Sequence, residues 1–103
     1  MIYGFDIDGT ICSTDCDYND AEPYNEVIAI INSLYDQGNE IIFFTSRGYN
    51  SGKDWFDFTT NQIENWGVKY HKLIMGKPQF DIFIDDKAVN NLEWYKANNI
   101  NID

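Results

Sequence analysis

The sequence predicts an α/β fold, a three-layer sandwich in which helices cover both faces of a small parallel sheet. Short apolar runs typical of buried strands alternate along the chain with segments whose apolar residues recur at helical spacing. The 103 residues suffice for one domain spanning 1–103. No repeat, low-complexity tract or interdomain linker is visible.

The first half begins with a strand and a helix. Residues 2–5 are an apolar run that ends in the polar turn DIDGT, as expected of a buried strand. Residues 11–21 are polar and irregular. A helix follows Pro23, and Gly38 stands where its C-terminal cap is expected. The apolar residues at helical spacing are Val27, Ile28, Ile31, Leu34 and Tyr35.

The second half repeats the alternation. The expected elements are a strand at 40–44, a helix from Asp54 to Gly67, a strand within 68–75, a strand at 80–84 and a helix at 87–97. Asp54 suits a helix N-terminus, and Gly67 suits the end of that helix.

Reactive polar residues follow three of the four predicted strands. Asp6 and Asp8 follow the first, Thr45, Ser46 and Arg47 the second, and Asp85 and Asp86 the fourth, with Lys77 in the turn before it. Ligands of open parallel sheets bind just beyond the carboxyl ends of the strands. We therefore expect these side chains to form one site.

These residue types suit the hydrolysis of a phosphate monoester. Asp6 can attack phosphorus, and Mg²⁺ held by Asp6 with one or both of Asp85 and Asp86 would offset the repulsion between two anions. Thr45 and Lys77 would hold the phosphoryl oxygens.

Asp8 lies two residues beyond Asp6, from where it can protonate the leaving oxygen and later activate water. Gly9 allows the backbone to turn closely past the phosphate. Thr10, Ser46 and Arg47 complete the expected phosphate or substrate contacts, although Arg47 suits a surface ion pair equally well.

The motifs resemble those of the haloacid dehalogenase (HAD) superfamily of phosphohydrolases. DIDGT at 6–10 resembles its first motif, Thr45 its second, Lys77 its third and IDD at 84–86 its fourth. The resemblance runs in order through nearly the whole chain.

This resemblance implies a Rossmann-like core and an aspartyl-phosphate formed on Asp6, with Asp8 as the acid/base. It also implies Mg²⁺ held by Asp6, the Asp8 carbonyl and Asp85, with Asp86 helping directly or through water. The segments 45–55, 66–78 and 81–88 further resemble a short branch without a cap domain, associated with capsule or surface-polysaccharide biosynthesis. The expected substrate is a small phosphorylated metabolite such as a sugar phosphate.

Many members of the superfamily carry a cap domain over the site. Only residues 11–21 and 48–53 are available here, which is too few for a folded cap. The site is therefore expected to be open to a large substrate or covered by the neighbouring subunit of a homo-oligomer.

The net charge of −10 bears on partners. No Lys or Arg precedes Arg47, whereas more than half of the 17 acidic residues do, so a nucleic acid would be repelled. No apolar run approaches the ~20 residues of a membrane span. Without a recognisable export signal, and with Cys12 and Cys16 interpreted as reduced thiols, a cytoplasmic protein is expected.

Two functional alternatives stay open. One is a phosphatase acting on a macromolecular phosphate end, and the other is a catalytically silent binding or regulatory module on the same scaffold. His71 is interpreted as structural. The acidic residues within 15–22 are either a solvated loop or a rim of the site.

Overall fold

A computed structural model of the chain describes residues 1–102. Three strands and three α-helices alternate along these residues, and a short 3-10 helix, Tyr18–Asp20, follows the first strand. The strands are β1 (Ile2–Phe5), β2 (Glu40–Phe44) and β3 (Lys72–Ile74), and the helices are α1 (Asn25–Asp36), α2 (Phe56–Asn65) and α3 (Asn91–Ala97). The predicted α/β class is confirmed.

The three strands form one parallel sheet in the order β1-β2-β3. Phe5 lies opposite Phe43, and Phe43 lies opposite Leu73. Each connection between neighbouring strands contains a helix, as parallel pairing requires. Because all three strands run in the same direction, the residues that follow Phe5, Phe44 and Ile74 meet at one edge of the sheet.

The first predicted helix is confirmed as α1. Val27 and Ile31 are fully buried on its inner side and join Ile41 and Phe43 of β2 in one apolar cluster. Gly38, just beyond the helix end, has a φ of +93°. Glycine adopts this left-handed conformation without steric cost, so the chain can turn there towards β2.

The other two helices differ in how closely they follow the prediction. α2 begins two residues after Asp54, and its N-terminal cap is Trp55 and not the predicted Asp54. The Asp54 carboxylate still accepts a hydrogen bond of 2.9 Å from the amide of Phe56, the first residue of the helix. The last helix begins at Asn91 and not at Lys87. Asn90 caps it, because its side chain accepts a hydrogen bond of 2.9 Å from the Leu92 amide.

The predicted fourth strand, residues 80–84, is wrong: these residues are neither helical nor in the sheet. Ile82 and Ile84 are 77% and 90% exposed. Only residues 75–79 separate β3 from this segment, whereas a crossover to a further parallel strand takes about a dozen residues or more. β1 and β3 are consequently the two edges of the sheet that residues 1–102 form.

Burial alternates along the strands. Ile41 and Phe43 are fully buried, whereas Phe44 is 40% exposed, and in β1 Phe5 is buried while Ile2 is exposed. One face of the sheet is therefore covered more fully than the other. Among residues 1–102, no helix has the length and apolar character needed to cross a bilayer.

Phe43 should contribute far more to stability than its neighbour Phe44. Phe43→Ala removes a fully buried ring from the central strand, so we expect the free energy of unfolding to fall by about 3–5 kcal/mol. Phe44→Ala is the matched control because that ring is partly in solvent already, and its cost should be less than half as large. Urea unfolding measures both, and equal losses would contradict this assignment of the core.

Candidate active site

A cleft of about 450 Å³ lies where the predicted site residues come together. Asp6 and Asp8 reach it from the end of β1, Ser46 from the end of β2, and Lys77 from the segment after β3. Its other lining residues are Thr14, Tyr18, Pro78, Gln79, Phe80, Asp81 and Phe83. Four predicted site residues therefore share one opening at the carboxyl edge of the sheet.

Asp6 and Lys77 form an ion pair in this cleft. One carboxylate oxygen of Asp6 accepts a hydrogen bond of 2.8 Å from the Ile7 amide, and the other lies 3.4 Å from Lys77 Nζ. The Asp6 side chain is 37% exposed, so a ligand in the cleft can reach it. The Lys77 amide donates to the Thr45 carbonyl at 3.0 Å, which ties the lysine segment to the end of β2.

The turn after Asp6 is held by its own backbone. The Gly9 amide donates to the Cys12 carbonyl, and the Thr10 amide donates to the Ile7 carbonyl. Gly9 has a φ of +80°, which this tight turn requires. Both amides therefore already donate hydrogen bonds within the turn and are not available to a phosphate. Gly9 and Thr10 instead help to position Asp6 and Asp8.

α3 holds the same turn from outside. Asn91 Nδ2 donates to the Gly9 carbonyl at 2.9 Å, and the Tyr95 hydroxyl donates to the Thr10 carbonyl. Burial raises the pKa of Tyr95, so its hydroxyl stays a donor well above neutral pH. The last helix therefore has a positional role that the sequence analysis did not predict.

Asp8 and Arg47 form a two-pronged ion pair. Arg47 Nε donates to Asp8 Oδ2 at 2.9 Å, and Nη2 donates to Oδ1 at 2.8 Å. The arginine side chain is 0% exposed, whereas that of Asp8 is 22% exposed. Such paired hydrogen bonds fix direction as well as distance. Asp8 is consequently aimed by Arg47.

The remaining contacts of Arg47 tie it to α2 and to the 3-10 helix. Its Nη1 donates to Thr59 Oγ1 at 3.2 Å and to Gln62 Oε1 at 2.8 Å, while the Tyr18 ring lies 4.4 Å from its central carbon. Gln62 in turn donates to the Tyr18 carbonyl at 2.6 Å. Arg47 is not a lining residue of the cleft, so in place of the expected substrate contact it is a buried positioning residue.

The two hydroxyls at the end of β2 are placed differently. Thr45 is 1% exposed, and its Oγ1 accepts a hydrogen bond of 3.2 Å from the Arg47 amide. Ser46 lines the cleft. Of the pair, Ser46 is the one that a ligand in the cleft can contact, while Thr45 supports the loop that carries Arg47.

Asp85 and Asp86 do not lie at the cleft, where the predicted metal site would place them. Both are exposed and neither lines the cleft. Asp85 accepts a hydrogen bond of 2.9 Å from the Lys87 amide, which lowers the pKa of Asp85. Because the fourth strand does not form, nothing carries these two residues to the carboxyl edge. In the part of the chain described, no three His, Cys, Asp or Glu side chains cluster closely enough to hold a metal.

Sequence reasoning missed seven lining residues, which are Thr14, Tyr18, Pro78, Gln79, Phe80, Asp81 and Phe83. The last three were assigned to a strand, so their common direction into the cleft was not foreseen. Tyr18 belongs to the polar segment 11–21 and is its only aromatic residue, which was the available signal. Its position brings the start of the 3-10 helix to the cleft.

The single histidine and the buried cysteine have structural surroundings. His71 Nδ1 accepts a hydrogen bond of 3.0 Å from the Ile41 amide, and its ring stacks on Tyr35 with centroids 4.7 Å apart. Burial raises the pKa of Cys12 to about 12, with the nearby Asp8 charge adding to the effect. The Cys12 thiol is therefore protonated at neutral pH and is a poor nucleophile.

Arg47→Met should be strongly destabilising, because it leaves the Asp8 carboxylate without its buried partner. We expect a loss of about 3–5 kcal/mol in the free energy of unfolding. Lys69→Met is the matched control, since Lys69 also lies 2.8 Å from a carboxylate, that of Asp36, but both side chains are about half exposed. That variant should lose less than about 1 kcal/mol. If urea unfolding shows similar losses of stability for the two variants, the conclusion that the buried Arg47 ion pair stabilises the fold is contradicted.

Comparison with known proteins shows a shared fold but does not identify a family. No family model and no curated protein matches the chain. The crystal structure of an MCSG target from Vibrio cholerae is similar, with a TM-score of 0.82 and 25% sequence identity over 90% of this chain and 85% of that one. The chain therefore shares its α/β fold with that protein over nearly its whole length.

Proposed function

We propose that this protein is a magnesium-dependent phosphomonoesterase of the HAD type, built on that superfamily's Rossmann-like three-layer core without a cap domain. The observation that carries the proposal is the accessible carboxylate of Asp6, which faces Lys77 at 3.4 Å in an open cleft beside Asp8. An anionic nucleophile and a cation side by side suit a dianionic phosphate, because the lysine attracts the group that the carboxylate attacks.

In the first step the Asp6 oxygen that faces Lys77 attacks phosphorus, and the bond from phosphorus to the leaving oxygen breaks. Lys77 and Ser46 hold the phosphoryl oxygens as their charge spreads. Asp8 in its protonated form donates its proton to the leaving oxygen. The products are an alcohol and an aspartyl-phosphate on Asp6.

In the second step water attacks the same phosphorus, and the bond from phosphorus to Asp6 breaks. Asp8, now ionised, takes the proton of the water and keeps it for the next turnover. The paired hydrogen bonds from Arg47 hold the Asp8 carboxylate in a fixed orientation for this step. Inorganic phosphate then leaves, and the Asp6 carboxylate is restored.

The donors at the cleft fit a magnesium ion that keeps much of its water. Mg²⁺ is often held by only one or two carboxylates together with water and substrate phosphate. Asp6 and the carbonyl of Asp8 would hold it, and Asp81 lines the same cleft. When bound, the ion offsets the repulsion between the Asp6 carboxylate and the phosphate.

The proposed substrate is a small phosphorylated metabolite, such as a sugar phosphate of surface-polysaccharide biosynthesis. The acidic 3-10 helix at the cleft disfavours a polyanion, including a nucleic-acid end. Both cysteines are free, which suits the reducing cytoplasm in which such a metabolite would be found. A neighbouring subunit covering the open cleft is compatible with this proposal.

A catalytically silent binding module is the alternative. It is favoured by one observation, that residues 1–102 contain no cluster of three metal-binding side chains. Such a module would bind a phosphorylated ligand through Lys77 and Ser46 without turning it over.

Hydrolysis of p-nitrophenyl phosphate, measured with and without Mg²⁺, distinguishes the phosphatase from the silent binding module. We expect metal-dependent activity that Asp6→Asn lowers at least about a thousandfold, because an amide oxygen is a poor nucleophile. Asp36→Asn is the matched control, since Asp36 pairs with Lys69 on the surface and should leave the rate unchanged. Folded wild-type protein that binds phosphate but hydrolyses no phosphomonoester would support the silent module.

Asp8→Asn should distinguish good from poor leaving groups. A nitrophenolate leaves without a proton, whereas an alkoxide needs one, so the variant should lose more activity on an alkyl phosphate than on p-nitrophenyl phosphate in single-turnover formation of the aspartyl-phosphate. The expected difference is at least about tenfold. Equal losses on both substrates would contradict the role of Asp8 as the acid.

A further inference from the structure

Two phenyl rings stand together in the cleft without a role in the proposed chemistry. Phe80 and Phe83 stack with their centroids 5.5 Å apart and their planes within 6° of each other. They are 54% and 57% exposed, yet both line the cleft that holds Asp6 and Asp8. Two neighbouring aromatic side chains left in water at the mouth of a polar cleft are a typical feature of a ligand-binding surface.

The rings are connected to the reacting groups by a short, anchored segment. Lys77, which contacts Asp6, is followed by Pro78 and Gln79, and all three line the cleft. The segment is held at one end by the hydrogen bond from the Lys77 amide to the Thr45 carbonyl, and further on by Asn50, which donates to the Gln79 side chain. The cationic end and the aromatic end of the cleft are thus parts of one run of chain.

The charges in the cleft restrict what can lie against the rings. Among residues 1–102, Lys77 is the one basic residue that lines the cleft, and it is engaged at Asp6, where the phosphoryl group belongs. Asp81 lies between the two rings in sequence and also lines the cleft. A second anionic group on the substrate would therefore meet a carboxylate and an apolar surface, which offer it no compensation.

We propose that Phe80 and Phe83 form the subsite for the leaving group and select monoesters whose alcohol carries an uncharged ring with a flat apolar face. This inference rests on the proposed phosphatase activity and narrows its substrate class. Aromatic rings present such a face on both sides, and a sugar ring presents one through its C–H groups, so either can stack on a phenyl ring.

A nonspecific exposed apolar surface would not explain why the two rings, and not their apolar neighbours, line the cleft. Ile82 and Ile84 in the same segment are more exposed, at 77% and 90%, but neither lines the cleft. Of the apolar side chains at positions 80–84, the two aromatic ones line the cleft and the two isoleucines do not. This difference makes Ile82→Ala a matched control, because it removes exposed apolar surface next to both rings without changing the cleft.

The test compares three primary-alkyl phosphates, so that the reactivity of the leaving group is similar: 2-phenylethyl phosphate, a hexose 6-phosphate and n-propyl phosphate. We expect Phe80→Ala and Phe83→Ala to lower kcat/KM for at least one of the two ring substrates about tenfold, mainly through KM. The loss on n-propyl phosphate should be at least fivefold smaller. The ring substrate whose kcat/KM falls shows whether the subsite binds an aromatic ring or a sugar ring.

Two results would overturn the subsite: equal losses on all three substrates, or the same losses in Ile82→Ala. Phe80→Leu keeps an apolar side chain without a flat face, and it should behave as Phe80→Ala does. If the wild type hydrolyses none of the three, the proposed activity fails separately. Calorimetric binding of 2-phenylethylphosphonate then still decides the subsite, since weaker binding by Phe80→Ala supports it and unchanged binding overturns it.

Discussion

The buried contact between Arg47 and Asp8 is the interaction on which the rest of the site depends. A guanidinium with no exposed surface must find acceptors inside the protein, and Asp8, Thr59 and Gln62 supply them. One side chain therefore joins the turn after β1, the loop after β2 and the body of α2. Since losing Asp8 would leave the Arg47 guanidinium buried without its charged partner, the ion pair both stabilises the fold and determines where the Asp8 carboxylate lies.

The parallel sheet provides the second constraint. Three strands that run the same way deliver the turn with Asp6, the loop with Ser46 and the segment with Lys77 to one edge. The hydrogen bond between Lys77 and Thr45 then joins two of these segments directly. α3 closes the arrangement from the other side through Asn91 and Tyr95, so the turn after β1 is held between a helix and an ion pair.

The sequence analysis succeeded where the information was local. Helical spacing located α1, and Asp54 located the start of α2, because both signals act within one or two turns of chain. It failed at residues 80–84, where a short apolar run was interpreted as a strand although the segment does not join the sheet. Whether such a segment pairs depends on the length of the connection before it and on a sheet edge elsewhere, and neither is a property of the segment itself. Asp85 and Asp86 were misplaced for the same reason.

From the sequence alone came the α/β class and the expectation that Asp6, Ser46 and Lys77 meet near the ends of the strands, because both follow from periodicity and from where parallel strands end. Only the tertiary structure decided the side-chain partners. Arg47 precedes a loop that suits substrate binding, yet it is buried under Tyr18 and directed at Asp8. Phe80 and Phe83 have the pattern of a core strand, yet they line the cleft. Contacts between residues far apart in the chain determine both outcomes, and such contacts cannot be inferred from the local sequence pattern.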